Sequence, residues 1–173
     1  MHDLAHLKLA SPMLDEWSRA RIPARLESGF VAGQLKLGRS RDADVGRRLG
    51  LPGLLFSTMI GTVEALSIAP GEWLVLALDK HAHELAQLRD SYKAEGISWT
   101  PCESRIRILT IDASRSLVAS LAGLPEGSLN TGNVVRGRLA DLPVVIAATE
   151  TAVRLIFDRT YVSHLRAWLD RAI

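Results

Sequence analysis

The apolar residues of this chain fall in short blocks separated by Gly, Pro and charged residues. Val31 to Leu37, with Val31, Leu35 and Leu37 apolar, reads as a strand closed by Gly38. Ser40 can cap a short helix from Asp42 to Leu49, with Val45 and Leu49 a turn apart and Gly50 as its stop. Leu51 to Gly61 is apolar but interrupted by Pro52 and Gly53, and reads as a buried connection rather than a regular element. Val63 to Ala69 and Trp73 to Leu78, joined by Pro70-Gly71, predict an antiparallel hairpin. Asp79 is placed to cap a following helix in which Leu85, Leu88 and Tyr92 share a face, with Gly96 at its end.

In the second half, Ile106 to Ile111 predicts a strand. Ser114 to Ala122 is ambiguous: Leu117, Val118 and Leu121 suit a helix capped by Asp112 or Ser114, but pattern alone does not settle it. Leu124 to Asn133 is a loop of Pro, Gly, Ser and Asn. Strands are expected at Val134 to Leu139, Pro143 to Ala148 and Val153 to Phe157, with Thr149-Glu150-Thr151 as a tight link. Tyr161 to Ile173 is a terminal helix with Val162, Leu165, Trp168 or Leu169, and Ile173 inward. Antiparallel strands mixed with a few helices make an α+β domain. Residues 1–21 read as an N-terminal arm and residues 22–173 as one domain, divisible into small lobes at about 22–100 and 101–173. No sequence repeat is visible.

Several of these segments, in order, resemble the gamma subunit of heterotetrameric sarcosine oxidase. They are Pro70-Gly-Glu-Trp-Leu-Val-Leu76, Asp112-Ala-Ser114, Asp141-Leu-Pro-Val-Val145 and the Trp168-Leu169 helix. The resemblance runs over roughly residues 22 to 173. It implies a fold related to the folate-binding aminomethyltransferases, with strands packed against helices on one side, and a strand rather than a helix ending at Gly123. It further implies a non-catalytic, structural subunit of a complex that oxidatively demethylates sarcosine to glycine. FAD, FMN, NAD and tetrahydrofolate would belong to partner subunits, and the partners would be larger alpha and beta subunits and a small delta subunit. The stretch from Gly123 to Asn133 is shorter than the family's and lacks its cysteine. That departure leaves open the small subunit of a related N-methylglutamate dehydrogenase, or a free-standing folate-binding or aminomethyltransferase-like protein.

The residues themselves offer little chemistry. There is no dinucleotide fingerprint, phosphate loop or nucleophile elbow. His81 and His83, two apart on a helix, point away from each other and cannot share a metal. His2 and His6 have helical spacing in the arm, and His164 reads as a partly buried packing residue. Glu72 is expected to cap its turn or to bond across the hairpin. Cys102, in a Trp-Thr-Pro-Cys-Glu turn, has no neighbouring histidine and reads as an unreactive thiol. No catalytic, cofactor or metal residue is therefore assigned.

The surface is more informative. Arg39, Arg41, Arg47 and Arg48 form either a solvated helix face offset by Asp42 and Asp44, or an arginine-rich contact patch. Arg136 and Arg138, two apart on a strand, share one face. Trp17 and Trp99 are candidate interface residues, whereas Trp73 and Trp168 suit the core. Composition changes the picture only by exclusion. With 47% hydrophobic and 23% charged residues the chain is ordinary for a globular protein. A net charge of +2 supplies no dense basic face for nucleic acid. No apolar run reaches the roughly 18 residues of a membrane span, the start lacks a signal-peptide pattern, and a single cysteine fits a reducing compartment. The expected location is the cytoplasm.

Overall fold

The computed structural model describes residue 22, residues 24–38 and residues 44–171. The arm with Trp17, His2 and His6, and the residues Arg39, Ser40, Arg41 and Asp42, lie outside the described residues.

Among the described residues, ten strands and four α-helices follow in order: β1 (Ala24–Leu26), β2 (Phe30–Lys36), α1 (Asp44–Arg48), β3 (Ser57–Ile60), β4 (Val63–Ala69), β5 (Glu72–Leu78), α2 (Ala82–Ala94), β6 (Ser98–Pro101), β7 (Ile106–Ile111), α3 (Arg115–Leu121), β8 (Val134–Leu139), β9 (Leu142–Ala148), β10 (Val153–Asp158) and α4 (Val162–Leu169). They build two antiparallel sheets, ordered β1-β7-β10-β9-β8 and β3-β4-β5-β2-β6. The α+β expectation is met.

The alternation along each strand sorts the core into three layers. Leu109, Ile111, Val153, Leu155 and Phe157 face α3 and α4, together with Leu165 and Leu169. On the other sheet, Leu35, Val63, Trp73 and Val75 face α1 and α2, with Leu85 and Tyr92. The alternate residues Ala32, Leu66, Leu74, Leu76, Ile108, Val134, Ala147 and Ile156 pack between the two sheets. The result is a sheet-on-sheet sandwich, each sheet carrying helices on its outer face.

The same unit is built twice. A strand (β2 or β7), a short helix (α1 or α3), a three-strand meander (β3-β4-β5 or β8-β9-β10), a 3-10 turn and a helix (α2 or α4) recur in the same order. In each sheet the first strand returns beside the last strand of the meander, and a short fifth strand closes the edge. That fifth strand is β6 in one sheet and β1, from the other end of the chain, in the other. The duplication is one of topology, since the sequence carries no repeat.

Several local expectations need correction. Residues 51–61 are only partly a buried connection: Leu51 is in the core, but Ser57–Ile60 pairs with β4 as an edge strand, and Leu54, Leu55 and Phe56 before it are exposed. Ser98–Pro101 pairs with β2 where a turn was expected, because edge pairing lets it lay Trp99 on the sheet. The helix after β5 begins with a 3-10 turn, Asp79–His81, and no side chain caps it; Asp79 instead donates its backbone N–H to Gly29 O, 2.9 Å away. Residues 115–121 are helical rather than extended, because Ser114 Oγ accepts from Leu117 N at 3.2 Å. The last helix is likewise preceded by a 3-10 turn, Arg159–Tyr161, and α4 closes at Leu169.

The β8–β9 turn is unusual. Ala140 and Asp141 both have positive φ, 53° and 63°, where a two-residue hairpin favours Asn-Gly. The strained turn is gripped from outside: the Arg138 guanidinium donates to Asp141 O, and a His164 ring nitrogen lies 3.3 Å from Ala140 O. His164 is exposed, not the partly buried packing residue expected.

Candidate functional surface

The most conspicuous feature of the surface is apolar. Leu54, Leu55, Phe56 and Met59 are 51%, 48%, 55% and 60% exposed. Four large apolar side chains thus stand exposed within six residues of chain, and clustered exposed apolar residues mark contact surfaces. Pro52 and Gly53 explain why this run forms no long element, and Leu55 itself sits at φ 66°.

The run is nevertheless held firmly, because it straps the two sheets together. Phe56 O accepts from Ser67 N of β4 at 2.9 Å. On the other side, Val134 N of β8 donates to Leu55 O at 2.8 Å, and Ser57 N donates to Gly132 O at 2.9 Å. Ser57 Oγ adds a 3.3 Å bond to the same carbonyl. Backbone satisfied on both sides and side chains left outward give a rigid apolar strap. Sequence reasoning missed it. The signal was there in an apolar run with neither helical nor strand period, broken by Pro and Gly, but its exposure depends on the second sheet.

Beneath the strap the sheets meet through an ion pair. The Arg154 guanidinium of β10 binds the Glu64 carboxylate of β4, with only 15% and 18% of the two side chains exposed. Arg154 Nε is buried without a hydrogen-bond partner. Nearby, Thr110 donates its hydroxyl to Glu27. Such a pair stabilises mainly by fixing how the sheets sit on each other, because each charge would be costly to leave alone.

The residues singled out from sequence are dispersed. Arg47 and Arg48 are exposed on α1, on the outer face of one sheet, and Arg47 pairs with Asp44 at 3.2 Å. Arg136 and Arg138 do share a face, the inter-sheet face of β8, as their register with Val134 requires. Trp99 lies on β6 with its indole over Gly33: a Cβ there would fall 2.1 Å from the ring. Trp73 is core, and its Nε1 donates to Pro52 O at 2.9 Å. Trp168 packs half-buried against the helix-side core.

Glu72 neither caps its turn nor bonds across the β4–β5 hairpin; it binds Lys36 Nζ at 2.5 Å and Gln34 Nε2 at 3.4 Å on the neighbouring strand β2. His81 Nδ1 is 3.2 Å from Glu84 Oε1. Cys102 is buried, and burial pushes its thiol up to about 11. Among the described residues no cluster of three His, Cys, Asp or Glu could hold a metal, and no helix is long and apolar enough to cross a membrane.

No protein-family model matches the chain, and no curated protein matches it in sequence. Solved structures do resemble it. One is a chain of the heterotetrameric sarcosine oxidase from Corynebacterium sp. U-96, in complex with pyrrole 2-carboxylate, with a TM-score of 0.71 and 15% identity, covering 87% of this chain and 83% of that one. Another is the glycine cleavage system aminomethyltransferase T from Bartonella henselae, with a TM-score of 0.62 and 14% identity, covering 90% of this chain and 48% of that one. This chain thus spans about half the length of the aminomethyltransferase. At these identities the likeness is one of fold: the two-sheet α+β sandwich described above is similar to that of a heterotetrameric sarcosine oxidase chain and to half of an aminomethyltransferase.

Proposed function

We propose that this chain is a non-catalytic accessory subunit, of the gamma type, in a heterotetrameric sarcosine oxidase-like flavoenzyme. The observation that carries the reading is the fold match to a chain of such an oxidase, which extends over 83% of that chain. One feature supports it: the surface bears an apolar strap, Leu54 to Met59, whose large side chains are exposed and suited to permanent burial. The role is then structural: Leu54, Leu55, Phe56 and Met59 dock on a larger subunit and hold the geometry of the assembly. Arg47, Arg48, Arg136 and Arg138 are further candidates for contacts within it. FAD, FMN, NAD and tetrahydrofolate would sit in the partners. The complex would oxidise sarcosine or a related secondary amine and pass the one-carbon unit to tetrahydrofolate.

A second reading, a free-standing folate-binding or aminomethyltransferase-like protein, draws on the match of 90% of this chain to the aminomethyltransferase. Native purification of the tagged chain from its source cell, with an absorbance scan, separates the two. The accessory-subunit reading requires larger polypeptides that co-elute in fixed ratio with a flavin spectrum and reduce that flavin when sarcosine is added. A colourless chain that elutes alone and binds tetrahydrofolate would establish the second reading instead.

A further inference from the structure

A cleft of about 330 Å³ opens between the two sheets, away from the strap. Part of its lining is apolar: Leu74 and Ile68 from one sheet oppose Val145 and Ile156 from the other, with Gln34, Cys102 and Tyr161 among the remaining lining residues. Its mouth is charged, and the charges are unequally satisfied. Glu72 is neutralised by Lys36 at 2.5 Å and also bonded by Gln34. Asp158 accepts from Thr160 N at 2.9 Å and from Thr160 Oγ1 at 2.8 Å, with Arg105 close enough to favour its charged form. Arg136 lines the same cleft, and its guanidinium has no ion-pair or hydrogen-bond partner among the described residues.

Ligand sites combine a largely apolar cavity of this size with a few placed polar groups. A guanidinium lining such a cavity can select a planar anion that it grips with two N–H bonds. We infer that the inter-sheet cleft binds a small monocarboxylate with an apolar body, its carboxylate on Arg136 and its body between Leu74, Val145 and Ile156. The carboxylates at the mouth do not repel it, because Lys36 and Arg105 offset them. The site goes beyond the accessory role and does not depend on it: the strap and the cleft share no residue.

The test uses the full-length chain, isotope-labelled, with three probes that divide the ligand into its parts. Hexanoate carries both charge and body, hexan-1-ol the body, and acetate the charge. Hexanoate should shift the amides of Leu74, Val145 and Ile156 saturably. Hexan-1-ol and acetate should each bind at least about tenfold more weakly. Arg136→Gln, a change at an exposed side chain, should weaken hexanoate by about tenfold to a hundredfold while leaving the rest of the spectrum in place. Arg138→Gln should leave binding unchanged, since Arg138 holds Asp141 O and does not line the cleft. The inference is overturned if no probe saturates, if hexan-1-ol or acetate binds as tightly as hexanoate, or if Arg136→Gln binds hexanoate like the parent.

Discussion

Gly33→Ala tests the packing of the duplicated unit at its tightest point. Gly33 lies in β2 opposite Pro101, with Leu35 opposite Trp99. The Trp99 indole leans diagonally across the strand, so that a Cβ at position 33 would fall 2.1 Å from Cη2 and Cζ2 and 2.6 Å from Cε2. No rotation of a methyl group relieves such an overlap, and the backbone of a central strand cannot move away. The ring must leave the sheet. A tryptophan buries about 150–250 Å² when covered, and this one is half-buried, so about 100 Å² of apolar area returns to water. At about 25 cal/mol per Å² that is about 2.5 kcal/mol. In a domain of this size the midpoint should fall by about 2–4 °C for each kcal/mol, or about 5–10 °C in all. Thermal unfolding followed by circular dichroism reads the shift. The double variant Gly33→Ala/Trp99→Ala then isolates the cause: it should be no less stable than Trp99→Ala alone, within about 0.5 kcal/mol. A Gly33→Ala protein that melts with the parent would refute the geometry, and a double variant showing simple additivity would refute the mechanism.

Three other outcomes follow from the same structure. Glu64→Ala should cost about 3 kcal/mol in urea unfolding by stranding the Arg154 guanidinium between the sheets, whereas Glu64→Leu/Arg154→Met should recover most of it; equal losses would remove the ion pair from the account. Replacing Ala140-Asp141 by Asn-Gly should raise stability by about 1 kcal/mol, because both positions have positive φ and Gly pays no Cβ penalty there; a lower midpoint would show that the outside grip by Arg138 and His164 outweighs the strain. The Cys102 thiol should ignore a disulfide reagent at pH 8 until denaturant is added. Its folded-state value is raised from 9.0 to about 11, so the protein binds that proton more tightly than the unfolded chain does. Its contribution to stability is therefore complete below pH 9 and is lost as pH rises towards 11; rapid native labelling would contradict the burial.

The readable parts of the sequence were those where local pattern and burial agree. Ile106–Ile111 and Val134–Leu139 stand where their apolar residues placed them, since each strand is bounded by polar or Gly-rich segments. The hairpin of β4 and β5 was legible from Pro70-Gly71, and Gly71 has the positive φ that such a turn needs. What pattern could not show depends on contacts distant in sequence. Ser98–Pro101 is a strand only because β2 offers it an edge. Leu54, Leu55, Phe56 and Met59 stay outward because the backbone of the strap is already claimed by Ser67 on one side and Gly132 to Val134 on the other. The duplication lies in the order of elements, which pattern along one strand or helix does not display. The cleft was hidden for the same reason: Arg136 was recognised as facing one side of a strand, but what lies opposite belongs to the other copy of the unit.

The account turns on whether the strap is covered by a flavin-bearing partner. The most direct measurement is the flavin absorbance per mole of tagged chain recovered natively from its source cell, for the parent and for Phe56→Ser/Met59→Ser. Both substitutions sit at exposed side chains, so the variant should fold and melt like the parent. The account predicts a stoichiometric flavin spectrum with the parent and a colourless, solitary chain with the variant. A parent that emerges without flavin, or a variant that keeps its full complement, would contradict it.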